Sequence, residues 1–281
     1  MRVIVFGKPR QRECTAVAEG FEALGAAVSW LTPKGQPGDE ATYPETDVAV
    51  TFGQRLHSGA VAAEYRRRGT TVLTVDLPPM RVNGMEETHR ALWLDRVNWM
   101  PEQRCDPRRL QSFNLDFVPL KHGRAVLVCG QTENDAAHGL GPAELRKWAN
   151  DHACAIGEWM RVVWRPHPRC QFHLDGWPAH TMDEDLEDVL RRGWHAVVTY
   201  NSTAGLTALL HGIPVFCDPS SFYAELGNPT IATISTPRWP SIGDRLEFFS
   251  RLAHVQWTFA ELASGEALAF VTNQAQSQVA A

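Results

Sequence analysis

Short apolar runs alternate with amphipathic stretches along this chain. The runs at 2–6, 28–31, 47–52 and 70–75 are apolar, rich in β-branched residues and of strand length. Between them, 14–25 has helical spacing, with Val17, Ala18, Phe21 and Leu24 on one face. The stretch 58–68 is a second helix, and its basic end suits the negative pole of a helix dipole. This alternation predicts βαβ units, with a parallel sheet covered by helices. Residues 80–120 are less regular and interrupt the pattern. It restarts with a strand at 124–129, a helix at 142–155 that opens on Pro142, a strand at 160–164 and an acidic-to-basic helix at 184–192. A strand at 196–199, a helix at 204–210 and a strand at 213–217 follow. Helices are expected at 244–254 and 258–263, and a polar, frayed tail from Gln274.

There are thus two blocks of alternation, 1–80 and 124–220. Two stacked α/β halves with a cleft between them fit this pattern, and so does one large doubly wound sheet. In either architecture ligands bind at the carboxyl ends of strands, so the strand exits are where chemistry is sought.

Three exits of the second block carry suitable groups. After the strand at 196–199 come Asn201, Ser202 and Thr203, all residue types that cap helix N-termini, and Gly212 closes the helix that follows. A helix opening in Asn-Ser-Thr offers free N–H groups, hydroxyls and a positive dipole end, which together bind phosphate. The same residues also serve an ordinary capped helix. Gly205, in the first turn, would allow a close approach to the backbone. After the strand at 160–164 comes Arg165-Pro166-His167-Pro168-Arg169. Its prolines stiffen the backbone around one His between two Arg, which suits a phosphate, or a proline-rich turn with surface Arg. After the strand at 124–129 come Gly130, Gln131, Thr132, Glu133, Asn134, Asp135 and, further on, His138. These form either an acid, base or nucleophile cluster or a solvated polar loop. Asp76, His57 and the segment Gly7-Lys8-Pro9-Arg10 are weaker candidates and read as structural. The chain has no GxGxxG or Walker pattern, no HExxH or Cys/His ladder for zinc and no GxSxG elbow.

Composition narrows the class. With 281 residues, 44% of them hydrophobic, the chain can bury a core for one or two domains. A net charge of −5 argues against holding nucleic acid by bulk charge, while leaving room for a local basic groove. The six cysteines form no CxxC pair and read as free thiols of a reducing cytosol. No apolar run approaches the roughly 18 residues of a membrane span, and the chain opens directly on a strand. The expectation is a cytoplasmic protein with no signal peptide and no membrane insertion. Most of the ten Trp are expected in the core or a lid, though such rings also stack on sugars and bases.

As an ordered set, three segments resemble the capsule polysaccharide Kdo-transferase family. They are Gly130-Gln131 with Asp135-Ala136, Arg165-Pro166-His167-Pro168, and Asn201-Ser202-Thr203-Ala204-Gly205 with Leu209-Leu210-His211-Gly212-Ile213-Pro214-Val215. The family motifs are a GQ-x-x-x-D-x-S loop, a [KR]-P-H-P turn and an S-x-x-G-x-E-A-L-x-x-G-x-P-V unit. The closing run 252–258, before Glu261 and Ser264-Gly265-Glu266, is similar to the tail of some members and of small phage or bacterial homologues. The likeness covers roughly residues 124–266.

The resemblance implies an α/β, GT-B glycosyltransferase with two Rossmann-like domains and a cleft between them. The acceptor domain would be 1–120 and the nucleotide-sugar domain 121–281. His167 and the Ser202/Thr203 turn would hold the donor phosphate, together with Gln131, Arg165, Asn201 and Gly205. Asp135 would be the carboxylate at the anomeric carbon of a retaining mechanism, with Glu133 as its nearby competitor. Neither cofactor nor metal is implied, since basic residues and a helix dipole would neutralise the leaving phosphate. The partners would be a nucleotide-sugar donor and an acceptor that is a polysaccharide or a hydroxymethylated pyrimidine in phage DNA. The chain departs from the motifs at two places. Ala137 or His138 stands for the loop Ser, and Thr207 for the helix Glu. The sugar therefore need not be Kdo, nor the nucleotide CMP. The alternatives are a glycerophosphate-type transferase and a nucleotide-binding α/β protein without glycosyl transfer.

Overall fold

The computed structural model describes residues 1–32, 43–53, 56–81, 84–95, 99–101, 105–120, 122–133, 138–169, 172, 174, 176–177 and 184–279. The chain divides into two compact units, one of Met1–Cys105 with Arg251–Ala281 and one of Asp106–Ser250. The first opens with β1 (Arg2–Phe6), α1 (Arg12–Ala23), β2 (Ala27–Leu31), β3 (Val48–Phe52), α2 (Leu56–Arg67), β4 (Thr71–Asp76), α3 (Met85–Thr88) and β5 (His89–Leu94). The second contains α4 (Pro107–Gln111), β6 (Ala125–Cys129), α5 (Pro142–Gly157), β7 (Arg161–Arg165), α6 (Leu186–Arg191), β8 (Ala196–Val198), α7 (Thr203–Leu210) and β9 (Val215–Phe216). Then α8 (Ile242–Ala253) returns the chain to the first unit, which ends with β10 (Gln256–Thr258), α9 (Phe259–Ala263) and α10 (Glu266–Val279).

The sheet of the first unit has the order β10-β5-β4-β3-β1-β2. Strands β2, β1, β3 and β4 are parallel, whereas β5 runs antiparallel to both β4 and β10. Val3, Ile4, Val5 and Phe6 of β1 are all buried, as a parallel strand covered on both faces requires. The tail departs from expectation. β10 pairs with β5, and the buried Gln256 acts as a further rung: its Oε1 accepts from Met80 N (3.0 Å) and its Nε2 donates to Met80 O (2.9 Å). Helix α9 lies so close to α1 that a Cβ on Gly20 would collide with the Leu262 carbonyl. The expected domain boundary, with 121–281 in the second domain, is therefore corrected: residues 251–281 pack with the first unit. The frayed tail from Gln274 is corrected as well. It continues α10, which is anchored by the buried Leu268 and Val271.

The sheet of the second unit is parallel throughout, in the order β7-β6-β8-β9. From β6 the chain crosses to β7 on one side, then returns to β8 on the other. The boundary between β6 and β8 is thus the topological switch point, where an open α/β sheet leaves a crevice at its carboxyl edge. Val126, Val128, Leu145, Ile156 and Trp164 form the core on one face. Helix α7 is nearly all apolar and buries Leu206, Leu209 and Leu210. It ends at Gly212 (φ +66°), where a Cβ would stand 2.7 Å from Pro119 O and 2.8 Å from Val118 O. The buried Arg245 guanidinium closes this end. Its Nη1 donates to Leu209 O (2.9 Å) and Val118 O (3.0 Å), placing a cation at the negative pole of the helix.

Candidate functional site

The β6 and β8 exits are locked together at the switch point. Gln131, buried just past β6, gives its Nε2–H to Asn201 Oδ1 (2.7 Å), and its Oε1 accepts from Asn201 N (2.8 Å). One carboxamide thus fixes both the backbone and the side chain of the residue that leads into α7. Ser202 is the N-cap, as expected, with its Oγ accepting from Ala204 N at 3.2 Å. The Thr207 hydroxyl donates back to Thr203 O at 3.2 Å, so the side chain that replaces the motif glutamate is engaged within its own helix.

The close approach that Gly205 permits is made by the protein itself: a Cβ there would lie 2.5 Å from Tyr223 Oη and 2.8 Å from the ring. Tyr223 is fully buried and donates to Ser202 O at 2.6 Å, so it clamps the turn from beneath. Burial pushes its phenol well above the ordinary value of 10.

At the β7 exit, Pro166 is buried and His167 half-buried. Arg169 N donates to His167 Nδ1 at 3.1 Å, which leaves the proton of the neutral ring on Nε2. The Thr132 hydroxyl lies 3.2 Å from the same Nδ1. Because Thr132 follows Gln131, the β6 loop ties all three exits together. Arg165 is buried at the end of β7. Its Nη2 donates to Glu184 O at 2.8 Å, and Nη1 is enclosed without an acceptor among the described residues.

In the β6 loop, His138 is structural rather than reactive. Its Nε2–H donates to Thr132 O (2.9 Å) and its Nδ1 accepts from Leu140 N (3.0 Å), so one ring ties Thr132 to Leu140. The Glu133 carboxylate pairs with Arg146 Nε at 2.6 Å. Asp135 lies outside the described residues, as do Asn134, Ala136 and Ala137. Beside Tyr200, sequence reasoning missed an aromatic wall. Trp148 stands edge-on to Tyr200 at 5.6 Å, and His138 at 6.2 Å. Burial raises the Tyr200 phenol, helped by the neighbouring Asp218 carboxylate, and lowers the His152 imidazole, which lies against Trp148. The position of Tyr200, two residues before the helix cap, was the available signal.

The weaker candidates lie in the first unit. Asp76 Oδ1 accepts from Leu77 N at 2.7 Å, His57 is exposed on α2, and Lys8 and Arg10 are exposed on the turn after β1. Among the described residues, no group of three or more His, Cys, Asp or Glu is placed to hold a metal, and no helix is long and apolar enough to cross a membrane. The described cysteines are free thiols, and Cys154 is exposed.

No family model and no curated protein matches the chain. Solved structures do. The beta Kdo 2,4 transferase structure of KpsC from Thermosulfurimonas dismutans aligns at 15% identity and TM-score 0.59, covering 92% of each chain. The beta Kdo 2,7 transferase structure of KpsC from the same organism aligns at 15% identity and TM-score 0.57, covering 96% of this chain and 99% of the other. At that identity the likeness is one of fold. The chain carries the fold of these Kdo transferases, a GT-B glycosyltransferase fold built from Rossmann-like units.

Proposed function

We propose that the protein transfers a sugar from a nucleotide-sugar donor to a hydroxyl acceptor, and that the donor phosphate is held at the switch point of the second unit. The observation that carries this reading is the Gln131–Asn201 lock at the head of α7. It sets the first turn of a helix at the carboxyl edge of a parallel sheet, where N–H groups and the dipole favour an anion. His167, on the adjacent exit, would supply a second donor.

In glycosyl transfer the bond from the anomeric carbon to the phosphate oxygen breaks, and the leaving phosphate gains negative charge. Donors already in place cost no reorganisation at that moment, so the α7 turn and His167 would do this work without a metal. Asp135 would attack the anomeric carbon from the opposite face and form a covalent glycosyl-enzyme. The acceptor hydroxyl would then attack the anomeric carbon, breaking its bond to Asp135 and giving up its proton to the departed donor phosphate, with net retention. The Asp135 assignment rests on its place in the loop motif. Glu133 is the poorer nucleophile, because Arg146 holds its carboxylate. A polysaccharide or a hydroxymethylated pyrimidine of phage DNA would supply the acceptor hydroxyl.

The direct test incubates the protein with UDP-, GDP-, CMP- and dTDP-sugars and follows free nucleotide. Release from one donor class is expected. If no nucleotide is released, and none raises the melting temperature, the reading is wrong.

A further inference from the structure

In the first unit two guanidinium groups converge on one aromatic ring. Arg12 Cζ lies 4.2 Å from the centre of the Phe259 ring, and Arg90 Cζ 4.9 Å from it. The two cations are thus no more than about 9 Å apart, comparable with the screening length at physiological salt, and they repel each other. Local architecture forces the meeting. Arg12 is the first residue of α1 and Phe259 the first of α9, and these helices pack tightly through Gly20. Arg90 lies on β5, opposite Trp257 of β10.

Neither arginine has a carboxylate within 4.0 Å among the described residues. Arg90 Nη1 donates to the carbonyls of Glu86 (2.9 Å) and His89 (2.7 Å), which orient it without neutralising it. The nearby Glu261 carboxylate is occupied by Thr258 N and Oγ1, both at 2.7 Å. More positive charge stands close by. Lys8 and Arg10 are exposed on the turn before α1, and that turn is fixed by Gln11 N donating to Lys8 O (2.9 Å) and Thr15 Oγ1 to Pro9 O (2.7 Å). The cap residue Gln11 does not cap the backbone of α1; its Oε1 accepts from Cys14 Sγ at 3.7 Å. In a chain whose net charge is −5, four cations, Lys8, Arg10, Arg12 and Arg90, gather here, with Glu13 beside Arg12 and Asp76 beside Arg90 as local carboxylates. This cluster also lies at the carboxyl edge of the sheet: the turn follows β1, and Arg90 stands one residue beyond the Asp76–Ala91 pair that ends β4.

We infer that Arg12, Arg90 and Phe259 form an oxyanion site, which takes a phosphate or carboxylate group of a molecule bound to the first unit. The ring holds both guanidinium groups within 4.9 Å of its centre and so limits their spacing, and an anion that bridges them relieves their repulsion. That this molecule is the acceptor rests on the transferase reading; the anion site itself does not.

The test uses the full chain at low salt and two probes, inorganic phosphate and glucuronate, followed by calorimetry. Nucleotide affinity and melting temperature are measured on the same samples. At least one probe should bind, more weakly by roughly tenfold in Arg12→Gln or Arg90→Gln and not measurably in the double variant, as expected when a charge-assisted contact is removed. Arg12→Lys should restore part of the binding. Whichever probe binds identifies the group. Nucleotide affinity should be the same in all variants. If neither probe binds the wild type, or if the folded double variant binds as well as the wild type, the inference fails. Loss of nucleotide binding everywhere would instead count against the transferase reading and leave the anion site standing.

Discussion

Gln131 meets Asn201 twice, through Nε2 to Oδ1 at 2.7 Å and through Oε1 from the backbone N at 2.8 Å. Two loops seventy residues apart in sequence are joined by one side chain at the point where the strand order reverses. Only a carboxamide can donate and accept in this way, so Gln131→Glu keeps the shape but sets a carboxylate oxygen against Asn201 Oδ1. We expect Gln131→Glu and Gln131→Ala to weaken donor binding by about tenfold, near 1.4 kcal/mol, as the α7 turn loosens. Isothermal titration with the preferred nucleotide reads this directly. Wild-type affinity in both variants would show that the lock serves only the fold.

His167 and Ser202 are expected to contact the donor phosphate itself. His167→Ala should lower donor affinity by roughly ten- to a hundredfold, the equivalent of about 1.5–3 kcal/mol for a lost charge-assisted hydrogen bond. Ser202 has a second role, because its Oγ caps α7 by accepting from Ala204 N. Ser202→Ala therefore costs about 1 kcal/mol of stability as well, whereas Ser202→Gly keeps most of the cap. Comparing the two separates capping from binding. Should both variants, and His167→Ala, bind nucleotide normally, the phosphate lies elsewhere.

Glu64 makes acid stability predictable in direction. Its carboxylate accepts from Arg67 Nη2 (2.7 Å) and Arg68 Nε (2.6 Å), and these bonds, that of Arg67 foremost, lower its pKa from 4.5 to about 2. The folded state therefore prefers the ionised form. The stability this provides is fully present above the unfolded value and is lost as pH falls from about 4.5 towards 2. Glu64→Gln should melt lower than wild type at pH 7, and the gap should close on acidification through that window. A gap that does not depend on pH would mean the side chain acts by packing alone.

Periodicity made most of this architecture readable, and its gaps have physical causes. The βαβ blocks stand out because parallel strands buried on both faces are apolar runs and their helices are amphipathic. Strand β5 escaped notice because it pairs antiparallel with β4, outside any βαβ unit. The tail was misplaced because its partners are distant in sequence: β10 joins β5, Gln256 joins Met80, and Gly20 admits α9. At the site, capping chemistry is local, so Ser202 and Gly212 were legible. Which neighbour fills the space at Gly205 is not local, and only the structure brings in Tyr223. The burial of Arg165 was not legible for a related reason, since sequence does not say which face of a strand its last residue takes.

Asp135 is the residue to which the proposed mechanism assigns the chemistry. Its neighbours narrow what it does. His138 uses both ring nitrogens to tie Thr132 to Leu140, and Glu133 is paired with Arg146, so neither is a free base or nucleophile in this loop. The loop follows Gln131, whose amide braces the proposed phosphate turn. A carboxylate carried there would attack the anomeric carbon from the face opposite the leaving group. Asp135→Asn keeps the size and most hydrogen bonding of the side chain while removing the nucleophile. The expected variant folds, binds donor with unchanged affinity and turns over several orders of magnitude more slowly, because the covalent route is closed. Rapid-mix turnover with the preferred donor, beside a nucleotide titration, separates these quantities. A variant that retains more than about a tenth of the wild-type rate has lost less than ~1.4 kcal/mol of transition-state stabilisation. The nucleophile would then be another group, and Glu133→Gln, which also releases Arg146, becomes the next substitution to measure.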